Sequence, residues 1–328
     1  MTVTSMSMPS TSRFRRLAGH ARWLAIPCAF GLLLPLLGRS SPIAANTLTW
    51  LLDLAAHWQS LYALFWFVLC LLCAAHARRW LLLTPFALLP LLTASGSLPK
   101  ADDGKPALVI VAANVYVGNR DPAPLIAWLR AHPADVVVLT ELSEPYLEAL
   151  SNALGSDYRY RELHPRTSPF GIGIVSRLPL REVSVIEDAQ GIQTLVAEVA
   201  IDTQPVRIVA AHPMPPHAPE WHNRRDALLR TIASDSDTPL ILAGDLNATP
   251  WSTALTGAAR DGLLRTTSLA PTWPHRGRGV FGIPIDHLLA SRHWRRGAAS
   301  RGPDIGSDHF PVRIALHWAD DRSVDRSQ

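Results

Sequence analysis

Cysteine is missing from residues 100–328, because all three, Cys28, Cys70 and Cys73, lie in the apolar first third of the chain. The larger part therefore holds neither a disulfide framework nor a thiolate metal site. Acidic residues are equally scarce in residues 1–99, where Asp53 stands against seven arginines, and lysine is absent there. Residues 100–328 carry the other 24 of the 31 Lys+Arg and 26 of the 27 Asp+Glu, so that part sits near −2 and the net +4 arises from the N-terminal third. The lack of a basic surplus weighs against a non-specific grip on a nucleic-acid duplex. His212, His217 and His222 recur every five residues, a spacing that does not suit a zinc-binding helix.

Long hydrophobic runs, by contrast, fill the first third. Arg13, Arg15, Arg16 and Arg22 precede one at 23–37, and a second at 61–75 is followed by His76, Arg78, Arg79 and a third at 80–94. Each is about 15 residues, short of the ~20 of a spanning helix, but each can extend into flanking small or aromatic residues. A signal peptide accounts for the first run only. The pattern predicts an N-terminal membrane region over 1–95 with about three transmembrane helices, and an interfacial stretch at 48–58. Arginines stay cytoplasmic, so three crossings place everything after residue 95 outside the cytoplasm, on the inner membrane. A Pro/Gly/Ser/Asp-rich linker at 96–106 follows.

From residue 107 short apolar strands alternate with amphipathic helices, the pattern of an α/β domain. Strands are expected at 108–113, ending in Asn114, and at 135–140, ending in Glu141. Others are expected at 172–176, 194–201, 206–211 before His212, 240–243, 283–290 with an interruption at Asp286-His287, and 312–317. Helices are expected after Asp121-Pro122, near Ser143, at 219–233 and at 251–259. Glu141 also reads as the first-turn acid of the helix near Ser143, and Arg224 and Arg225 as a solvated helix face. The basic loop His275, Arg276, Arg278 can receive an anion, and the tail at 319–328 reads as disordered.

The stretch 239–252, P-L-I-L-A-G-D-L-N-A-T-P-W-S, organises the rest. A buried strand leads to Gly244, which lets the backbone turn and deliver Asp245 and Asn247 at the strand's C-terminal end. Two residues apart on extended backbone, they point a carboxylate and a carboxamide the same way, an arrangement that suits holding a water beside a phosphate. An ordinary Asp/Asn turn would look the same from this stretch alone.

Taken in order, A-N at 113–114, L-T-E at 139–141, G-I-G-I-V-S-R at 171–177, A-H-P at 211–213, G-D-L-N at 244–247, T-W-P at 272–274, I-D-H at 285–287 and S-D-H at 307–309 resemble the endonuclease/exonuclease/phosphatase superfamily, the deoxyribonuclease-like fold. The resemblance spans 107–318. It implies a four-layer α/β sandwich of two mixed β-sheets flanked by helices, here preceded by transmembrane helices. It also implies a divalent metal, Mg²⁺ or else Mn²⁺, held by Glu141 with Asn114 and Asp308 nearby. Asp245 would orient or deprotonate the attacking water, and Asn247 would bind a phosphate oxygen. His309, paired with Asp286, and His212 would face the phosphoryl group, with Trp273 against the substrate. Either Asp245 or His309 fits the role of base.

The reading that results is a membrane-anchored, metal-dependent phosphoesterase acting on a phosphodiester or phosphomonoester through an activated water. Its partners are the lipid bilayer and the phosphate ester. A nuclease on DNA or RNA is the runner-up; abasic-site enzymes of the superfamily carry a Tyr-Gly-Lys element where this chain has Thr167-Ser168-Pro169-Phe170. A third reading is a catalytically inactive binding module. A fourth, a transporter or sensor, is disfavoured because Asp53 is the only acid near the apolar runs.

Overall fold

The structure, a computed structural model, describes residues 11–39, 46–101 and 104–319. The chain opens with helices α1 (Thr11–Arg39), α2 (Thr47–Ala56) and α3 (Gln59–Ala74), a 3₁₀ segment Arg78–Leu88 and a short α4 (Leu89–Thr93). Asn46 caps α2 through its side chain, which accepts from Thr49 N while Thr49 Oγ1 accepts from Asn46 N. Gln59 Nε2 donates to Gly31 O and Cys28 Sγ to Tyr62 O, so α1 and α3 run antiparallel. Trp66 Nε1 then reaches Leu83 O on the returning 3₁₀ segment.

The third apolar run is thus not the regular helix its composition suggests. Pro85 and Pro90 remove backbone donors inside it, and the chain takes a 3₁₀ path up to Leu88. Among the described residues no single helix is long and apolar enough to cross a membrane; α2 and α3 pass that test together, bent by 64°. The stretch expected to be a linker is also more than a tether. Leu98 is buried in the core, Ser97 bridges to Arg265, and Ala101 N bonds Arg296 O.

The remainder follows as β1 (Leu108–Asn114), α5 (Ala123–Ala131), β2 (Val136–Thr140), α6 (Glu144–Ala153), β3 (Tyr160–His164), β4 (Ile172–Ser176), β5 (Arg181–Glu187), β6 (Gln193–Ile201) and β7 (Gln204–Ala211). Then come α7 (Pro219–Ala233), β8 (Leu240–Asp245), α8 (Thr253–Arg260), β9 (Leu264–Arg265), β10 (Asp286–Ala290), β11 (Trp294–Arg301) and β12 (Val312–Trp318). The first sheet has the order β11-β12-β1-β2-β4-β3 and the second β5-β6-β7-β8-β10-β9. Both are mixed, since β1–β2 and β7–β8 are parallel and the other neighbours antiparallel.

Three apolar layers explain why the alternating strands fold this way. Inward side chains such as Ile110, Val138, Ile208 and Ile241 pack between the sheets, each worth about 1.5–3 kcal/mol when fully buried. Val111 and Leu139 face the other way onto α5 and α6, and Val209 and Leu242 onto α7 and α8. Strands β1, β2, β4, β7, β8 and β12 lie within a residue or two of the expected positions. Strand β10 begins only at Asp286, whose Cα is paired with that of Asp245, so Asp286 and His287 belong to the ladder rather than interrupting it. The tail expected to be disordered lies, from residue 320 onward, outside the described residues.

Because β1–β2 and β7–β8 are parallel pairs, Asn114, Glu141, His212 and Asp245 all emerge at one end of the sandwich. The start of β10, antiparallel to β8, brings Asp286 to the same end.

Candidate active site

Gly244 has φ 144°, and a Cβ there would lie 2.1 Å from Ala211 O. Glycine is required for the close approach of β7, not for a turn, and the strand runs on through it to Asp245. The turn comes afterwards: Asn247 adopts φ 48° and donates its backbone N–H to Asp245 Oδ1 at 3.0 Å. Asp245 and Asn247 therefore meet through a side-chain-closed turn rather than along extended backbone. Asn247 Nδ2 donates to Pro213 O at 3.0 Å.

Glu141, directly after β2, has φ 59°, strained for a residue with a side chain. It lies before α6 and is not that helix's first-turn acid, a place taken by Glu144. The next amide, Leu142 N, bonds Gly171 O, and a Cβ at Gly171 would lie 1.8 Å from Leu142 O. The glycine of the G-I-G-I strand thus permits the contact that fixes Glu141. The carboxylate accepts from Asn114 Nδ2 at 2.9 Å and from Val117 N at 3.0 Å.

Asn114 joins the two sheets. Fully buried, it donates from Nδ2 to Glu141 Oε1 and, at 3.1 Å, to Asp245 Oδ2, while its Oδ1 accepts from Tyr116 N at 3.0 Å. One amide so holds two carboxylates at fixed spacing and offsets part of their repulsion.

Asp245 Oδ2 also lies 3.5 Å from His212 Nε2 and 3.7 Å from His309 Nε2, distances of ion pairing rather than of short hydrogen bonds. Burial opposes its charge, but the His309 cation, His212 and the Asn247 amide outweigh burial and hold it at about 2. His309 Nδ1 sits 2.8 Å from Asp286 Oδ2. Burial disfavours its cation, yet Asp286 and Asp245 push it up to about 10. Asp286 itself is raised by burial against the pull of His309, and its Oδ1 is buried with no partner. His212 directs Nδ1 to Pro169 O at 3.1 Å; burial lowers it, but Asp245 more than compensates and its pKa is raised.

Two groups of potential metal ligands result, Glu141–His212–Asp245 and Asp245–Asp286–His309, each with its ligand atoms within 4.8 Å of one another. Asp245 is common to both. Asp308 stands beside the two groups without belonging to either: its Oδ2 accepts from Trp273 Nε1 at 2.9 Å, and its Oδ1, buried without a hydrogen-bond partner, is 4.0 Å from His309 Nε2. Trp273 stands beside His309, ring centroids 6.3 Å apart. His287, third residue of I-D-H, is a structural group; burial brings it down to about 4, and its Nε2 lies 3.0 Å from both Ala248 O and Pro284 O.

The profile of the Endonuclease/Exonuclease/phosphatase family matches residues 111–309, from within β1 to the turn before β12, and includes every residue of both groups. The chain belongs to the endonuclease/exonuclease/phosphatase family. Solved structures with the same fold include the endonuclease/exonuclease/phosphatase from Beutenbergia cavernae DSM 12333, with TM-score 0.53 and 20% identity over 65% of this chain and 72% of that one. D. rerio TDP2 complexed with single strand DNA product matches with TM-score 0.53 and 20% identity over 64% of this chain and 98% of that one. A family protein from Bacteroides thetaiotaomicron matches with TM-score 0.55 and 14% identity over 65% and 98%. At these identities the likeness is one of fold. No curated protein matches the sequence.

Endonuclease/exonuclease/phosphatase enzymes are divalent-metal-dependent hydrolases of phosphoester bonds. The donor chemistry at Glu141 and Asp245, carboxylate oxygens with one nearby imidazole, fits such a hard cation, while Asn114 turns its NH₂ to both carboxylates and its oxygen to Tyr116 N.

Three residues at this end have roles that their local sequence does not announce. Thr272 Oγ1 accepts from Ile285 N and Asp286 N, fixing the entry to β10. Arg225, expected on a solvated face, is 1% exposed and donates to Asn247 O at 2.8 Å. Its partner, Asp53, lies 172 positions away.

Proposed function

We propose that the chain is a membrane-anchored, divalent-metal-dependent phosphoesterase that cleaves a phosphodiester by attack of water. The observation that carries the reading is Asp245, an ionised carboxylate bonded through Asn114 to Glu141 on one side and facing the His309–Asp286 pair on the other. Glu141 and Asp245 would hold the metal, with His212 beside them and Asn114 fixing the spacing of the two carboxylates. When bound, the cation supplies Lewis-acid polarisation of the phosphoryl group and a more acidic water.

The chain's own residues do the remainder. Asp245, held at about 2, orients the attacking water as a hydrogen-bond acceptor, and the water's proton passes to solvent, because His309, pushed up to about 10, already carries one at Nε2. The His309 cation, held in orientation by Asp286, offsets charge developing on the phosphoryl oxygens, and the second hydrogen of Asn247 Nδ2 is free to bond one of them. Asp286 acts on His309 as an orienting carboxylate and takes no proton.

Membrane anchoring is supported by the apolar side chains that the N-terminal helices turn outward. Trp23 and Ile26 on α1, Phe65 on α3, and Leu82 and Leu92 on the return are exposed, while Cys28, Leu32, Trp66 and Cys70 pack inward. The 16 residues of α3 reach about 24 Å and the bilayer core is about 30 Å, a mismatch that local thinning accommodates. Arg78, Arg79 and the arginines before residue 23 would then lie on the cytoplasmic side and the catalytic domain on the other face of the inner membrane.

The test is hydrolysis of bis(p-nitrophenyl) phosphate by the full chain in detergent micelles, with and without a chelator. Chelation and the substitutions Glu141→Ala and Asp245→Ala are each expected to lower kcat by at least about a thousandfold. Unchanged rates would refute the assignment. A nuclease is the second reading, favoured only by exposed Arg276 and Arg278 on the loop before β10. Turnover of single-stranded DNA faster than of the small diester would select it.

A further inference from the structure

A buried ionic cluster runs from α2 to the loop after β8. Asp53, with a side chain 1% exposed, accepts from Arg225 Nη2 at 2.9 Å and from Thr253 N at 2.7 Å. Arg225 directs Nε and Nη2 to Asp226 Oδ1 and Nη1 to Asn247 O at 2.8 Å. Asp226 Oδ2 accepts from Thr253 Oγ1 at 2.5 Å, and His222 Nε2 stands 3.2 Å from Asp53 Oδ2. A second connection reaches the same residue from its other side. Asn247 Nδ2 donates to Pro213 O, and three residues further along that loop Pro216 O accepts from Trp50 Nε1 at 2.8 Å. Asn247 is thus held at its carbonyl by Arg225 and at its amide by the 213–216 loop, and both supports end on one face of α2.

Docking a helix does not require this. Each buried charge carries a desolvation cost of several kcal/mol, and an apolar contact of equal size would dock α2 at lower cost. What the cluster adds is direction. The guanidinium fork is rigid and spans Asp53 and Asn247 O at once, and Asn247 occupies a left-handed backbone conformation that needs outside support.

We propose that Asp53 is a positioning residue of the active site. Through Arg225 it fixes Asn247 beside Asp245, with Trp50 supporting the amide side, so that the N-terminal helices complete the catalytic centre instead of only tethering it. The kinetic arm of the test rests on the phosphoesterase reading; the exchange arm does not.

The experiment uses the full chain in detergent micelles. Asp53→Asn is expected to raise amide hydrogen exchange in 246–249 by about tenfold or more, leaving 108–113 and 240–243 unchanged. Unaltered exchange in 246–249, or a rise spread equally over the core strands, overturns the proposal. In turnover, Asp53→Asn should lower kcat by about tenfold with KM moving less than about twofold, yet cost less than about twofold further in an Asn247→Ala background. Equal losses in both backgrounds mean that Asp53 serves the fold alone. Should Asp53→Asn not fold, Trp50→Phe keeps every buried charge and removes one hydrogen bond. It is expected to show the same exchange pattern and non-additivity at about threefold, and full additivity overturns the proposal. If the unsubstituted chain hydrolyses no phosphodiester, the phosphoesterase reading fails while the exchange result still decides the role of Asp53.

Discussion

Replacing Asn114 by Asp is nearly isosteric but sets a third carboxylate between Glu141 and Asp245. The amide now donates one hydrogen to each neighbour, at 2.9 and 3.1 Å. A carboxylate can donate to neither, and a carboxylic acid to one. Repulsion at these distances makes protonation of the new group the cheapest relief. At about pH 7, some three units above an ordinary aspartate, protonation costs about 4 kcal/mol at 1.36 kcal/mol per unit. The second lost bond, to a charged partner, adds about 1.5–3 kcal/mol. The total, about 5–7 kcal/mol, corresponds at about 2–4 °C per kcal/mol to a fall of roughly 10–28 °C in apparent Tm. The sign with pH follows. The new carboxyl has a folded-state pKa above its unfolded value of about 3.9, so the protonation part of the deficit vanishes near that pH and grows as pH rises. Thermal unfolding of the metal-free full chain between about pH 4.5 and 7 reads this directly, and Asn114→Ala serves as a control lacking the pH-dependent part. A variant as stable as the parent at neutral pH, or a deficit independent of pH, would refute the placement of Asn114 between the carboxyl groups of Glu141 and Asp245.

Gly244→Ala should destabilise the chain by at least about 3 kcal/mol in urea or thermal unfolding, because its Cβ meets Ala211 O at 2.1 Å and φ is 144°. His309, raised to about 10, contributes stability that is fully present below about pH 6.5 and lost as pH rises through its folded value. His309→Gln should remove that alkaline loss from the metal-free protein. Asp286→Asn withdraws the charge nearest His309, so kcat should drop by about a hundredfold or more and the alkaline limb of the rate profile should move to lower pH; a limb that stays in place counts against the pairing. Ser252→Ala removes the cap of α8, whose Oγ accepts from Leu255 N, and should cost about 1 kcal/mol with little change in kcat.

Much of the site is legible in the sequence because its residues sit where strands end. Asn114, Glu141, His212 and Asp245 each follow a run of buried β-branched or small apolar residues, and such runs carry a period that composition reveals. Strands without that period leave no such trace. Strand β5 is exposed along its whole length, β3 is half-buried throughout, and β11 is rich in arginine and broken by a bulge between Arg296 and Ala299. At Gly244 the sequence suggests a turn, but a glycine after a strand has two uses, and only the neighbouring Ala211 carbonyl distinguishes them. The Asp53–Arg225 pair is invisible for a different reason: it depends on how two parts of the chain dock, and neither residue lies in a local pattern that announces the other. In the third apolar run, hydrophobicity masks the effect of Pro85 and Pro90, whose missing donors decide the local path.

Calorimetric titration of the metal-free full chain with Mg²⁺, or Mn²⁺, tests the convergence of the two sheets on one cation most directly. The account predicts saturable binding that weakens by about thirtyfold or more in Glu141→Gln and in Asp245→Asn, and by much less in Asp308→Asn, since Asp308 belongs to neither ligand group. Absence of binding, or equal affinity in the parent and in Glu141→Gln, would contradict it.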